Sequence, residues 1–209
     1  MTGYNRANKQ KHSRKDPISR WHVRSIMEVI YQLVESTNPK AVLDAGCGEG
    51  FVSRYLAMRN GSMSITGVDV QPQAIEFAKK NFGEAVTYRL GSLYALPFSD
   101  NSFDTVVCSQ VLEHLDDVET AMAELKRVAR RFVVITVPRE PYFKLVNDFA
   151  RAVRFSDDPG HVNFWTSSDF QKFMGVHFKQ PRFIRKHVIY QFSVARVDSI
   201  NESFKPDEA

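Results

Sequence analysis

The chain has 209 residues, 43% hydrophobic and 25% charged, with a formal net charge of +4. That is enough for one domain with a substantial core, and no apolar run approaches the ~18 residues of a membrane-spanning helix. The polar N-terminus carries no secretory pattern, and two cysteines, Cys47 and Cys108, make neither a disulfide framework nor a metal-binding pair. The expectation is a cytoplasmic protein with reduced thiols.

Residues 1–18 read as a basic flexible arm. Seven cations lie in the first 24 residues, among them Arg6, Lys9, Lys11 and Arg14, against the single acid Asp16. Such a stretch has too little apolar content to fold alone. It is either a solvated leader or an arm that touches anionic lipid, nucleic acid or an acidic substrate. Trp21 keeps a peripheral lipid contact open.

One domain is expected over residues 19–200, followed by a tail at 201–209. From Ser19 to about Thr37, Val23, Ile26, Met27, Ile30, Leu33 and Val34 recur at helical spacing, and Asn38-Pro39 ends the helix. Residues 40–46 form a first strand, Phe51 to Asn60 a helix, and Ile65 to Val70 a second strand. Pro72 opens the next helix at a favoured first-turn position. Val86 to Leu90 form a third strand. Residues 92–103 are irregular, Asp104 to Ser109 form a strand apolar enough to be buried on both faces, 118–129 a helix, and Arg131 to Val137 a fifth strand. Strands alternating with helices require a parallel sheet with right-handed crossovers.

After Pro138 the pattern changes. Tyr142 to Arg154 is helical, a loop runs from Ser156 to His161, and Ser167 or Ser168 caps a helix through Met174. Residues 139–176 therefore form a helix-and-loop cover, with β-rich runs at 181–187 and 188–197 behind it. Eleven of the sixteen phenylalanines follow residue 131. They line a pocket for an apolar or planar substrate, or they are the core beneath the cover.

The chemistry is concentrated in Ala41-Val-Leu-Asp-Ala-Gly-Cys-Gly-Glu-Gly50 and in Gly67-Val68-Asp69-Val70. An apolar run ends in a glycine-rich turn, and a second apolar run ends in an acid, the layout of a nucleoside-binding βαβ unit. Asp69 can accept two hydrogen bonds from a ribose diol. Gly46, Gly48 and Gly50 alternate, and Phe51 occupies the third-glycine position of the dinucleotide pattern. Asp44, just before the turn, would repel a pyrophosphate. It suits a ligand with a positive charge or an amino group, and S-adenosylmethionine has both.

With Leu96-Pro-Phe-Ser-Asp-Asn-Ser-Phe-Asp104 and Val111-Leu-Glu-His-Leu115 added, the chain resembles the class I S-adenosylmethionine-dependent methyltransferases. Within them it is most similar to the small-molecule branch that includes the ubiquinone and menaquinone biosynthesis enzymes. The resemblance is close over residues 40–138. It implies an α/β, Rossmann-like, doubly wound, seven-stranded, mostly parallel sheet with a C-terminal antiparallel hairpin. It also implies a cofactor, S-adenosyl-L-methionine, converted to S-adenosyl-L-homocysteine. Asp44, Gly46, Gly48, Asp69, Val70, Ser92, Leu93 and Gln110 would bind that cofactor. Ser92 and Leu93 border the adenine edge, where the family often carries an acid and serine accepts more weakly. Gln110 lies under the methionine part, near the transferred methyl group. The family's Lys-Pro-Gly-Gly turn before the fifth strand is replaced here by Val128-Ala-Arg-Arg131, which implies a tighter connection.

Methyl transfer from a sulfonium needs alignment and exclusion of water, and a base only when the nucleophile must lose a proton. His161, in Pro-Gly-His-Val-Asn-Phe-Trp, is a candidate base or a loop histidine that fixes its turn. Together with Gln110 it makes up the catalytic set, and Arg139, Tyr142 and His161 are the candidate substrate contacts. In some methyltransferases that resemble this chain, Glu-x-x-Glu-His holds a divalent metal. Here Gln110 replaces the first acid, and Glu113 with His114 alone is a poor hard-metal site, so no metal is expected. The leading function is methyl transfer to a small or lipid-like acceptor, at oxygen. RNA methylation aided by the basic arm and a non-catalytic cofactor-binding subunit are the alternatives.

Overall fold

The computed structural model describes residues 17–152, 160–184 and 186–197. The tail at 201–209, most of the proposed basic arm, the side chain of Trp21 and the loop residues Ser156 to Pro159 lie outside the described residues.

The elements follow the expected alternation: α1 (Pro17–Ser36), β1 (Ala41–Ala45), α2 (Phe51–Arg59), β2 (Ser64–Asp69), α3 (Pro72–Phe82), β3 (Thr87–Leu90), β4 (Phe103–Ser109), a 3-10 turn (Leu112–His114), α4 (Val118–Val128) and β5 (Ala129–Pro138). The cover helices α5 (Tyr142–Ala152) and α6 (Ser167–His177) come next, then β6 (Arg182–Ile184) and β7 (Tyr190–Arg196). The sheet order is β3-β2-β1-β4-β5-β7-β6. Strands β1 to β5 are parallel. The last two form the antiparallel edge: β7 pairs with β5, and β6 with β7.

The pleat divides the core. Val42, Val107, Val134 and Phe192 point to the face covered by α1, α2 and α3, where Ile30, Val34, Leu56, Ile75 and Ala78 are buried. Their neighbours Leu43, Val106, Val133 and Ile135 point to the face covered by α4 and α6, against Met122, Leu125, Phe170 and Met174. Alternate residues therefore serve opposite layers, and β4 is buried from Phe103 through Cys108, as its unbroken apolar run predicts.

Asp104 fastens the end of the sheet away from the glycine turn. One oxygen accepts the N–H groups of Lys40 at 2.9 Å and Ala41 at 3.0 Å, and the other takes the Arg130 guanidinium. Burial pushes its pKa up, but Arg130 and the two backbone donors outweigh it and hold the carboxyl at about 2.

The connection between α4 and β5 is as tight as the missing glycines imply, since Val128 ends one and Ala129 begins the other. The cap of α6 needs correction. Thr166, not Ser167 or Ser168, caps it, its hydroxyl accepting from the Asp169 N–H at 3.2 Å and donating to the Asp169 carboxylate at 2.6 Å. Ser167 is engaged elsewhere, accepting from Arg139 Nε at 3.0 Å.

Candidate functional site

The strand order reverses at β1, with β2 on one side and β4 on the other. At such a switch point the loops leaving the carboxyl ends of the strands diverge and open a crevice. Gly46 leaves β1 in the left-handed region (φ 77°), which a side chain disfavours. Its N–H and that of Cys47 both donate to the Val68 carbonyl, at 2.8 and 2.9 Å. A Cβ on Gly46 would lie 2.5 Å from a Val111 methyl, and one on Gly50 (φ 81°) 2.4 Å from the Tyr88 hydroxyl. Only bare backbone fits between β1 and the segment that follows β4.

Two carboxylates flank this turn. Asp44, 1% exposed, accepts from Ser53 Oγ at 2.5 Å. Burial raises its pKa to about 6, with Asp69 adding to the rise and the Ser53 hydroxyl opposing it. Asp69 takes the Gly48 N–H on Oδ2 and the Gln71 N–H on Oδ1, each at 2.8 Å. Both bonds fix the carboxylate, and each oxygen keeps acceptor capacity for a hydroxyl. Val70 beside it is 59% exposed, an apolar plate at the rim of the crevice.

At the third strand's exit, Ser92 Oγ closes a turn by accepting from the Tyr94 N–H at 3.1 Å. Leu93 is 6% exposed in the apolar cluster that contains Val68 and Leu96, so only its backbone is available at that edge. Gln110 leaves β4 at φ 58°. Its backbone N–H donates to the Thr136 carbonyl at 2.9 Å and its side-chain amide to the Thr136 hydroxyl at 3.2 Å. The strand exit is thereby tied to β5 directly before Val111 meets Gly46.

The 3-10 turn carries the cover loop. The Glu113 carbonyl accepts the N–H groups of Val162 and Asn163, at 2.8 and 3.1 Å. Asn163 Nδ2 donates to the carbonyls of Leu112 and Leu115, at 3.0 and 2.6 Å. His114 Nδ1 lies 3.2 Å from the Gly160 carbonyl. A carbonyl only accepts, so Nδ1 carries the proton in that bond. His161, on the docked loop, stacks on Phe143 of α5 (centroids 5.0 Å, 27°) and meets His114 edge-on (4.9 Å, 71°).

Arg139 and Tyr142 are also brought together, the guanidinium lying 4.9 Å from the centre of the tyrosine ring. Gln191 on β7 donates to the Trp165 carbonyl at 2.8 Å and ties the cover to the sheet.

The structure adds Ser53, Val111 and Asn163 to the site. It also changes the context of Glu113 and His114. The expectation of no metal weighed these two without a third donor, but one ligand atom from each of Glu113, His114 and His161 lies within 4.8 Å of the others. Sequence separation hid this, because 46 residues lie between the two histidines.

Residues 43–134 match the family described as "Methyltransferase domain". An uncharacterized methyltransferase of Bacillus subtilis, YcgJ, is 31% identical over 62% of this chain and 53% of its own length. The ubiquinone biosynthesis O-methyltransferase of Nitrosomonas europaea is 30% identical over 50% of this chain and 45% of its own length. The chain thus spans about half the length of the curated relatives it matches. The magnesium protoporphyrin IX methyltransferase of Synechocystis PCC 6803, crystallised with bound SAH, shares the fold with a TM-score of 0.67 at 17% identity, over 92% of this chain and 93% of that one. Among the described residues no helix is long and apolar enough to cross a membrane. Sheet order, glycine turn and paired carboxylates agree with these matches, which support a class I S-adenosylmethionine-dependent methyltransferase domain that takes S-adenosyl-L-methionine as its cofactor.

Proposed function

We propose that this methyltransferase acts on a small or lipid-like acceptor, at a hydroxyl oxygen, by in-line displacement. The observation that carries the reading is the crevice itself, a turn with no room for a Cβ at Gly46 and a carboxylate on either side of it. When bound, S-adenosyl-L-methionine supplies a methyl group on a sulfonium, which is already a good leaving group. The protein's task is then placement and the exclusion of water.

The backbone of Gly46 and Gly48 faces the methionine part, and Asp44 supplies the negative charge that an α-ammonium requires. Asp69 takes the ribose hydroxyls on the two oxygens that Gly48 and Gln71 hold in place. Val70 lies against the adenine, with the Ser92 hydroxyl and the Leu93 backbone at its edge. Gln110, braced by Thr136, sits beneath the methionine part. His161, held between Phe143 and His114, accepts the acceptor's proton at a ring nitrogen. Arg139 and Tyr142 contact the acceptor's far end. The apolar side chains of Tyr142, Val162 and Phe164, 44% to 60% exposed, surround this side of the cover and favour an apolar acceptor. The name of the Nitrosomonas relative, a ubiquinone biosynthesis O-methyltransferase, supports a hydroxylic acceptor of that class.

The test is transfer of a labelled methyl group into a cell lysate, followed by extraction with organic solvent. Label in the organic phase is the expected result. Label confined to the aqueous phase overturns the lipid-like acceptor and redirects attention to RNA and polar metabolites.

A further inference from the structure

We infer that Arg139 selects an acceptor that carries a carboxylate, at the end remote from the hydroxyl that is methylated. The inference deepens the proposed function and rests on it.

Three observations carry it. First, the residue sits on fixed backbone at the carboxyl end of β5, the edge from which the crevice opens. Its N–H donates to the Ile189 carbonyl and its own carbonyl accepts the Phe143 N–H, each at 2.9 Å. The next N–H, that of Glu140, donates to the Trp165 carbonyl at 2.9 Å. Second, the guanidinium is held from two sides. Nε donates to Ser167 Oγ at 3.0 Å, and the Tyr142 ring centre lies 4.9 Å from the guanidinium carbon. A guanidinium carries five N–H donors. With Nε engaged, the four on the two terminal nitrogens have no acceptor among the described residues. Third, the charge is uncompensated. Arg139 is partly buried, yet among the described residues no carboxylate lies within ion-pair distance of it. The adjacent Glu140 carboxylate instead accepts the Lys144 N–H at 3.1 Å.

Helix stability does not explain this placement. Arg139 stands beside the first turns of both α5 and α6, where the helix dipole disfavours a cation. The bond to Ser167 needs only a neutral donor. A partly desolvated guanidinium with both terminal nitrogens unused is matched instead by a ligand that accepts two parallel N–H bonds. One guanidinium balances one negative charge, and its planar fork meets two coplanar oxygens. Both properties favour a carboxylate over the doubly charged phosphate.

Placement gives the acceptor its direction. Tyr142 and Phe143 are neighbours in sequence; Arg139 lies on the first ring and His161 on the second. The cation and the imidazole thus flank one aromatic wall. An acceptor with a carboxylate at one end, an apolar body and a hydroxyl at the other follows that wall in order. Its carboxylate on Arg139 leaves the hydroxyl for His161.

The experiment uses the full-length chain, methyl-labelled S-adenosyl-L-methionine and cell lysate. The labelled mixture is extracted with organic solvent from about pH 2, where a carboxyl is neutral, and from about pH 9, where it is ionised. The expected label enters the organic phase from acid and stays aqueous from base. The acceptor isolated on that criterion, and its methyl ester, are then assayed with the parent, Arg139→Gln and Arg139→Lys. Esterification should raise KM for the parent about 30-fold, and Arg139→Gln should do the same for the acid with kcat within about threefold. Arg139→Lys should recover part of the loss. Parent and Arg139→Gln should use the ester equally, and both variants should bind S-adenosyl-L-homocysteine as the parent does. Label that extracts equally from acid and base marks a neutral acceptor; it overturns the inference and leaves the proposed function standing. Parent kinetics indifferent to esterification, or an Arg139→Gln loss equal on acid and ester, would also overturn it, the latter reducing Arg139 to a support of the cover. Label that stays aqueous from both overturns the lipid-like acceptor itself, and the inference with it.

Discussion

Asp44→Asn tests the crevice most directly, because burial and function pull on this carboxyl in opposite directions. In the free protein its pKa rises from an ordinary 3.8 to about 6, mainly through burial. The folded chain therefore binds more protons than the unfolded chain between those two values, and stability falls as pH rises through that window. At about 1.4 kcal/mol per tenfold, the interval corresponds to about 3 kcal/mol withheld from the apo protein above pH 6. Asparagine keeps the size and an oxygen for the Ser53 hydroxyl but does not ionise, so the variant should lose most of this fall and melt higher than the parent at pH 7.5. Binding should respond in the opposite sense. If only ionised Asp44 receives the ammonium, about one-tenth of the sites are competent at pH 5 and about nine-tenths at pH 7, so affinity should rise about tenfold over that range. In the variant this component vanishes, and loss of a charge-assisted bond should weaken binding about 10- to 100-fold at pH 7.5. Calorimetric titration with S-adenosyl-L-homocysteine from pH 5 to 8, alongside melting curves, measures both. Parallel pH profiles for the two proteins, or undiminished affinity in the variant, would refute the assignment of Asp44 to the ammonium.

Three further outcomes follow from the geometry. Gly46→Ala places a Cβ 2.5 Å from Val111 at φ 77°, and should cost about 2 kcal/mol or more; a urea midpoint measures the loss, and Val111→Ala should restore part of it. Asp104→Ala strips acceptors from the Lys40 and Ala41 N–H groups and leaves Arg130 without its partner, an expected loss of about 3 kcal/mol. Because the Asp104 carboxyl is held at about 2, its contribution is present above the ordinary 3.8 and disappears as pH falls toward 2, so the variant should show a shallower loss of stability across that acid range. Asn163→Ala removes the bonds to Leu112 and Leu115, and should speed proteolysis within the 160–166 loop about tenfold or more without changing affinity for S-adenosyl-L-homocysteine.

What the sequence made legible was local. The apolar run of β4, the glycine turn after β1 and the acid ending β2 each declare their structure within a dozen residues, and together they place the crevice. The cap of α6 was missed by one position, because Ser167 and Ser168 are as good caps as Thr166 in sequence. In the structure the Ser167 hydroxyl is instead engaged by Arg139. The triangle of Glu113, His114 and His161 was not legible, since the bonds that assemble it join a loop's backbone and Asn163 to the main chain of the 3-10 turn, and backbone donors and acceptors are the same in every sequence.

The short segment from Gln110 to Leu115 gains its importance in the same way. Its first residue is braced by Thr136, Val111 forms the wall against Gly46, and Leu112, Glu113 and Leu115 offer carbonyls to the cover loop. The glycine turn after β1 and the 160–166 loop thus both lean on the same six residues. A change that shifts Val111 should alter cofactor affinity and loop protection together, whereas one at Asn163 should alter the loop alone. Measuring both quantities in Val111→Ala and Asn163→Ala separates a shared wall from two independent ones, and loop protection in Val111→Ala unchanged from the parent would dissolve the link.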